Sequence, residues 1–132
     1  MLGSVTFEDQ AVIADLEAGI GTLTRMEDKG VDTVLVVVEP TMKSVEVGAR
    51  AAALVREKML GRMLIVANRV RGEDDLATVR AKFPGEDIVA IPDDAAIVEA
   101  ERRGVAPLDS APNAPAVQAL VALAERLVAP AT

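Results

Sequence analysis

Four short apolar runs in this chain each end on polar residues able to do chemistry. Ala11–Ala14 leads to Asp15 and, past Glu17, to Gly19; Thr33–Val38 leads to Glu39 and Pro40. Met63–Ala67 leads to Asn68 and Arg69, and Ile88–Ile91 leads to Pro92, Asp93 and Asp94. A carboxylate such as Asp15 can hold the waters of a hard cation, and a glycine such as Gly19 lets backbone approach a ligand closely. Asn68 offers a donor and an acceptor on one amide. Each residue also has a plain structural role: a strand end for Asp15 and Asn68, a turn for Gly19, a helix cap for Asp93 or Asp94. Arg69 and Arg71 could approach a phosphate or another subunit, but read better as members of a solvated loop. Cys and His are both absent. Their absence excludes thiolate and imidazole metal sites, Cys and His nucleophiles, and Ser-His-Asp relays.

The elements that must position these residues alternate between strand and helix. Ala11–Leu16 predicts a short buried strand that delivers Asp15 to its end, with Gly19 and Gly21 in the turn beyond. Thr33–Val38 is β-branched and unbroken by polar residues, the pattern of a strand buried on both faces. Pro40 ends it, and Thr41 or Ser44 can cap the next helix, whose predicted apolar stripe is Val47, Ala51, Leu54 and Val55. Met63–Ala67 is a third strand. Acidic Glu73, Asp74 and Asp75 open a helix that Arg80 and Lys82 close, in accord with the macrodipole, with Leu76, Val79 and Phe83 facing inward. Ile88–Ile91 is a fourth strand, followed by a helix through Arg103 that Gly104 stops. Val105–Ala114 reads as an irregular loop. From Pro115 a last helix carries Val117, Leu120, Val121, Ala124, Leu127 and Val128 on one predicted face. The expectation is one α/β domain over residues 1–132, a mostly parallel sheet of four to five strands flanked by helices in three Rossmann-like layers.

Composition sets further bounds. With 51% apolar residues and only two aromatics, Phe7 and Phe83, the core must be aliphatic. The net charge of −7, without a basic block or a stacking platform, argues against a nucleic-acid surface. No apolar run approaches the ~20 residues that span a bilayer, and Met1–Gln10 lacks a secretory pattern. A cytoplasmic location without a membrane span is the expectation.

In their order and spacing over residues 11–128, these segments resemble the second half of a MinD/ParA/CooC-type P-loop ATPase. The resemblance implies that Asp15 reaches the Mg²⁺ shell of a bound nucleotide, that Gly19 approaches the γ-phosphate, and that Asn68 reads the adenine edge. It implies that Pro92 and Asp93 flank base and ribose, and that Glu39-Pro40-Thr41 and Ser44 leave the sheet toward a subunit interface. ATP or ADP with Mg²⁺ is thus a possible ligand, although no cofactor is required. The nickel role of the CooC branch depends on cysteines and does not carry over.

Family members hold the phosphates with a Gly-rich loop and a signature Lys ahead of the switch Asp. The fourteen residues before Asp15 contain one Gly, no Lys and no Arg, and no Gly-x₄-Gly-Lys-[Ser/Thr] occurs in the sequence. ATP hydrolysis by this chain alone is therefore not expected. In the family, the phosphate-loop strand lies between the switch-Asp strand and the Thr33–Val38 strand, and open strand edges are costly. Three repairs are available: direct pairing of Ala11–Leu16 with Thr33–Val38, filling by Val5–Phe7, or a strand from another chain. The expectation is a non-catalytic interaction or regulatory module, a homo-oligomer or bound to a protein that supplies the missing half. The alternative is half of a split ATPase, or a residual nucleotide-binding subunit, completed by a separate phosphate-loop protein.

Overall fold

The computed structural model describes residues 11–15 and 31–129. Its strands are β1 (Thr33–Val38), β2 (Arg62–Val70) and β3 (Ile88–Pro92), and its helices are α1 (Met42–Lys58), α2 (Glu73–Lys82), α3 (Ala95–Arg103), the single turn α4 (Pro107–Ser110) and α5 (Pro115–Val128). The strands form one parallel sheet in the order β1-β2-β3. Thr33 pairs with Arg62 and Val38 with Ala67; on the other side of β2, Ile65 pairs with Ile88 and Ala67 with Ala90.

Side-chain alternation divides the sheet into two apolar faces. Val36, Val38, Ile65 and Ala67 pack beneath α1 and α2 with Val45, Ala52, Val79 and Phe83. Leu64, Val66 and Ile91 pack on the opposite side with Ala116 and Leu123 of α5, and Leu35, Val89 and Ile97 border that cluster. The α/β architecture matches the expectation, as does β1 residue for residue, and α2 opens at Glu73 as expected and ends at Lys82, with Phe83 as its cap. Three of the expected four to five strands are present among the described residues. Ala11–Asp15 has no regular structure and is exposed along its length. Its four apolar residues find no strand to pair with among the described residues, and an unpaired strand is not stable. Gly19, Gly21 and Val5–Phe7 lie outside the described residues.

Thr41 is the N-cap of α1: its hydroxyl accepts the Ser44 N–H at 3.2 Å, while the Ser44 hydroxyl accepts the Glu39 N–H at 2.8 Å. The buried stripe of α1 is Val45, Gly48, Ala52 and Val55, displaced from the predicted one; Val47 is exposed. Small residues cause the displacement, because Gly48 and Ala52 let the helix lie close against β1. A Cβ built on Gly48 would overlap Cγ1 of Val38 and approach Cζ of Phe83 to 3.2 Å. The helix ends at Met59 in the left-handed region, φ 51°. Gly104 ends α3 in the same region, φ 67°, as expected.

Two further expectations are corrected. The Val105–Ala114 segment contains α4, one helical turn begun by Pro107, whose missing N–H costs nothing at that position. In α5 the buried residues are Ala116, Val117 and Leu123, whereas Leu120 and Val128 of the predicted face are exposed. The apolar arc of this helix is wide, and packing on the sheet selects the part of it that holds Ala116 and Leu123.

Gly48→Ala should destabilise the protein by about 1–3 kcal/mol through overpacking against stiff Val38, despite alanine's ~1 kcal/mol advantage within a helix. Urea unfolding reads this directly. An unchanged or higher midpoint would mean that α1 stands further from β1 than described.

Candidate functional site at the carboxyl edge of the sheet

A parallel sheet collects the carboxyl ends of its strands along one edge, where open α/β folds bind ligands. Here that edge presents Glu39 after β1, Asn68 and Arg69 near the end of β2, and Asp93 and Asp94 after β3. The β2–β3 register breaks between Ala67 and Val70: three steps along β2 meet two along β3, from Ala90 to Pro92. One extra residue in a strand reverses the facing of all that follow. Val70 accordingly packs with Ile65 and Ala67 on the α1/α2 side, where an unbroken strand would have turned it away. By the same alternation Asn68 falls on the α5 side with Leu64 and Val66.

Arg69 is the residue that accommodates the bulge. Its φ is 59°, a left-handed conformation inside a strand, which glycine adopts freely and other residues adopt at a cost. Its side chain is tied on both sides. Nε donates to Oδ1 of Asp93 at 3.3 Å, and Nη1 donates to Oε1 of Glu39 at 3.3 Å. The hydrogen bond and charge of Asp93, followed by the charge of Glu39, raise its pKa further. The reading of Arg69 as a member of a solvated loop is thus corrected. The signal that identifies it is an arginine beside two strand ends that each deliver a carboxylate.

The structure also separates the two adjacent aspartates, which sequence left interchangeable. Asp94 is the cap of α3, accepting the Ala96 N–H on Oδ1 at 2.9 Å. Its second oxygen accepts the N–H of Ala116, in the first turn of α5, at 3.0 Å. Asp93 is thereby free to face Arg69, and its own N–H donates to the Val70 carbonyl at 2.9 Å.

Of the predicted site residues, Asn68, Pro92 and Asp93 share this edge. Pro92 borders a shallow cleft with Val70, Arg71, Gly72, Leu76 and Ala90, on the α2 side of the sheet. Asp15 is exposed and makes no hydrogen bond or ion pair to another described residue, and Gly19 lies outside the described residues. Asn68 supplies both a donor and an acceptor suited to a base edge. Two carboxylates face one guanidinium, a poor charge balance for a phosphate chain.

No family model matches the chain. An ATP-binding protein of Methanocaldococcus jannaschii, MJ0823, is 38% identical over 66 residues, which is 50% of this chain and 26% of that protein. The carbon monoxide dehydrogenase accessory protein CooC of Rhodospirillum rubrum is 28% identical over 109 residues, 82% of this chain and 41% of its own length. Among solved structures, the MinD cell division protein of Aquifex aeolicus superposes with a TM-score of 0.58 at 23% identity, covering 77% of this chain and 46% of that one. Pyrococcus furiosus MinD gives a TM-score of 0.58 at 24% identity, covering 73% and 42%. The chain spans less than half the length of each of these relatives. Among the described residues no helix is long and apolar enough to cross a membrane.

Because backbone hydrogen bonds from Ala116 and Ala96 hold the Asp94 carboxyl below its ordinary pKa, its contribution to stability is full above the ordinary carboxylate range. It is lost as pH falls through the depressed value. Asp94→Asn should lower Tm by several degrees at neutral pH and flatten the acid limb of the Tm–pH curve below about pH 4. A variant whose acid limb matches the parent's would remove Asp94 from the acid response.

Proposed function

We propose that this chain, a relative of the MinD/CooC-type P-loop ATPases over part of their fold, is a non-catalytic interaction or regulatory module of the cytoplasm. It works in contact with a second copy of itself or with a protein that covers the open side of β1. The observation that carries this reading is the mismatch between β1 and its surroundings. Thr33–Val38 has the composition of a strand buried on both faces, yet the described elements fully bury residues of only one. Val36 and Val38 are buried beneath α1, whereas Val37, on the α5 side, is 59% exposed. β1 is also an edge of the described sheet, with no strand beyond it among the described residues. On the same side of the sheet Leu120 and Val128 of α5 are exposed. A two-faced apolar edge strand is a template for another chain, and fully burying one valine is worth about 1.5–3 kcal/mol.

Size-exclusion chromatography with light scattering tests the contact. The chain at tens of micromolar should run as a dimer or larger, and Val37→Glu should return it to a monomer with little change in Tm. A parent chain that is monomeric throughout and does not retain a candidate partner would overturn the reading. Turnover is the other test. No Gly-x₄-Gly-Lys-[Ser/Thr] occurs in the sequence, so ATP hydrolysis by the purified chain should not rise above background.

A second reading is favoured by one specific observation, the placement of Asn68 at the bulge on the same sheet edge as Asp93. In it the chain is the base-binding half of a split nucleotide site, and a phosphate-loop protein supplies the rest. Asp15, Gly19, Asn68, Pro92 and Asp93 would meet the nucleotide, with Asp15 acting through Mg²⁺. Bound Mg²⁺ would supply charge neutralisation at the phosphates; Asn68 would orient the base. A ligand present at 100 times its Kd stabilises the folded form by about 2.7 kcal/mol. Thermal melts with Mg·ADP and Mg·ATP should rise accordingly, and melts unmoved at millimolar nucleotide would count against this reading.

A further inference from the structure

We propose that the flank of α1 overhanging the open edge of β1 is a docking surface for an acidic amphipathic helix of a partner protein. This rests on the contact reading above and names the chemistry of the occupant. One flank of α1 is committed to the rest of the fold. Gly48 and Ala52 pack toward Val79 and Phe83, and Arg56 reaches past α2 to pair with Glu86 at 2.7 Å. The sheet runs β1-β2-β3 and α2 packs on β2. The opposite flank of α1 therefore turns away from α2 and stands over the outer edge of β1. By helical spacing it carries Lys43, Val47, Leu54 and Lys58, with Arg50 toward its solvent margin. Val47 is exposed, and Leu54 is half-buried at the margin of the cluster of Val55 and Leu60.

The cations of this flank are unspent. Lys43, Arg50 and Lys58 make no ion pair among the described residues, although Glu46 lies three residues from Lys43 and four from Arg50. The other described Lys and Arg residues without an ion pair, Arg62, Lys82 and Arg103, stand on or beside separate elements. Along α1 cation and apolar residue alternate, with successive cations about 10–12 Å apart at 1.5 Å per residue. A helix carrying carboxylates at the same interval, with leucines between them, meets every position, as flanking charges and seam residues do in coiled coils. The chain carries a net charge of −7, so an acidic partner is repelled by most of its surface and oriented by the flank where cations collect. Other anions fit less well. Three cations and no aromatic residue on α1 undersupply a nucleic-acid backbone and its bases. Polybasic lipid sites gather about four to eight Lys or Arg.

The test is fluorescence anisotropy of a labelled helical peptide of about 20 residues, titrated with the full chain. Its glutamates and leucines repeat the spacing of Lys43, Arg50 and Lys58 and of Val47 and Leu54. The comparison probes are the same peptide with Lys in place of Glu, vesicles containing phosphatidylserine, and a single-stranded oligonucleotide. The variants are Lys43→Gln, Arg50→Gln and Lys58→Gln combined, Val47→Ser, and Val37→Glu on the other face of β1. The acidic peptide should bind and the Lys peptide should not. Affinity should fall about tenfold or more in the combined variant, and likewise when salt rises from about 50 to about 500 mM. Val47→Ser should weaken binding and Val37→Glu should leave it unchanged. The combined variant should melt with the parent, because none of its three residues holds an ion pair among the described residues. Failure of the acidic peptide to bind, or equal binding by the combined variant, overturns the proposal. So does equally tight binding of vesicles or oligonucleotide through the same cations. If the chain alone forms a dimer that the combined variant dissolves, a second copy occupies the flank: the acidic partner is overturned while the contact reading stands. If the peptide fails and the parent self-associates through Val37, the outcome is the same. If the peptide fails and the parent is monomeric and retains no partner, both fall.

Discussion

One carboxylate, that of Asp94, joins the two helices on the open side of the sheet to the end of β3. Helix α5 has Ala114 at its N-cap, a residue without a side-chain acceptor. The acceptor it needs comes from 22 residues upstream, where Asp94 caps α3 with one oxygen and α5 with the other. Uncapped helix N–H groups are costly when water is excluded from them. The position of α5 is therefore set by a polar contact at its start as much as by the burial of Ala116, Val117 and Leu123 further along. The same contact assigns the adjacent aspartates: with Asp94 engaged at two helices, Asp93 is left to meet Arg69.

The second governing constraint is the unequal covering of the sheet. On one side α1 and α2 enclose a continuous cluster running from Val38 to Phe83. On the other, the cluster of α5 centres on β2 and β3, and Leu35 reaches only its margin. β1 thus carries more apolar surface than the described elements bury, and its outer edge has no described neighbour. The exposed side of β1 and the carboxyl edge of the sheet are consequently separate surfaces of one small fold.

Much of this was legible in the residues. Thr33–Val38 and Glu73–Lys82 could be placed because an unbroken β-branched run and a helix with opposite charges at its ends have few alternative readings. Asn68, Pro92 and Asp93 were identifiable as strand-end residues for the same reason. The stripe of α1 was misplaced because Gly48 and Ala52 bury little surface of their own; they matter through the close approach they permit. Ala11–Asp15 looked like a strand because it is apolar and ends in acid, but a strand requires a partner and sequence names none. Arg69 was hidden because its two carboxylates are remote in sequence.

Local patterns thus determined which segments are strands and helices, the aliphatic character of the core, and the absence of thiol and imidazole chemistry. These depend on side-chain type and short-range periodicity, which a sequence carries explicitly. The tertiary structure alone decided the bulge that turns Val70 toward α1 and α2, the double cap at Asp94, the bridge through Arg69, and the uncovered face of β1. Each of these arises from groups brought together by pairing and packing over 22 to 30 residues or from how far α5 reaches across the sheet, and no local pattern encodes either.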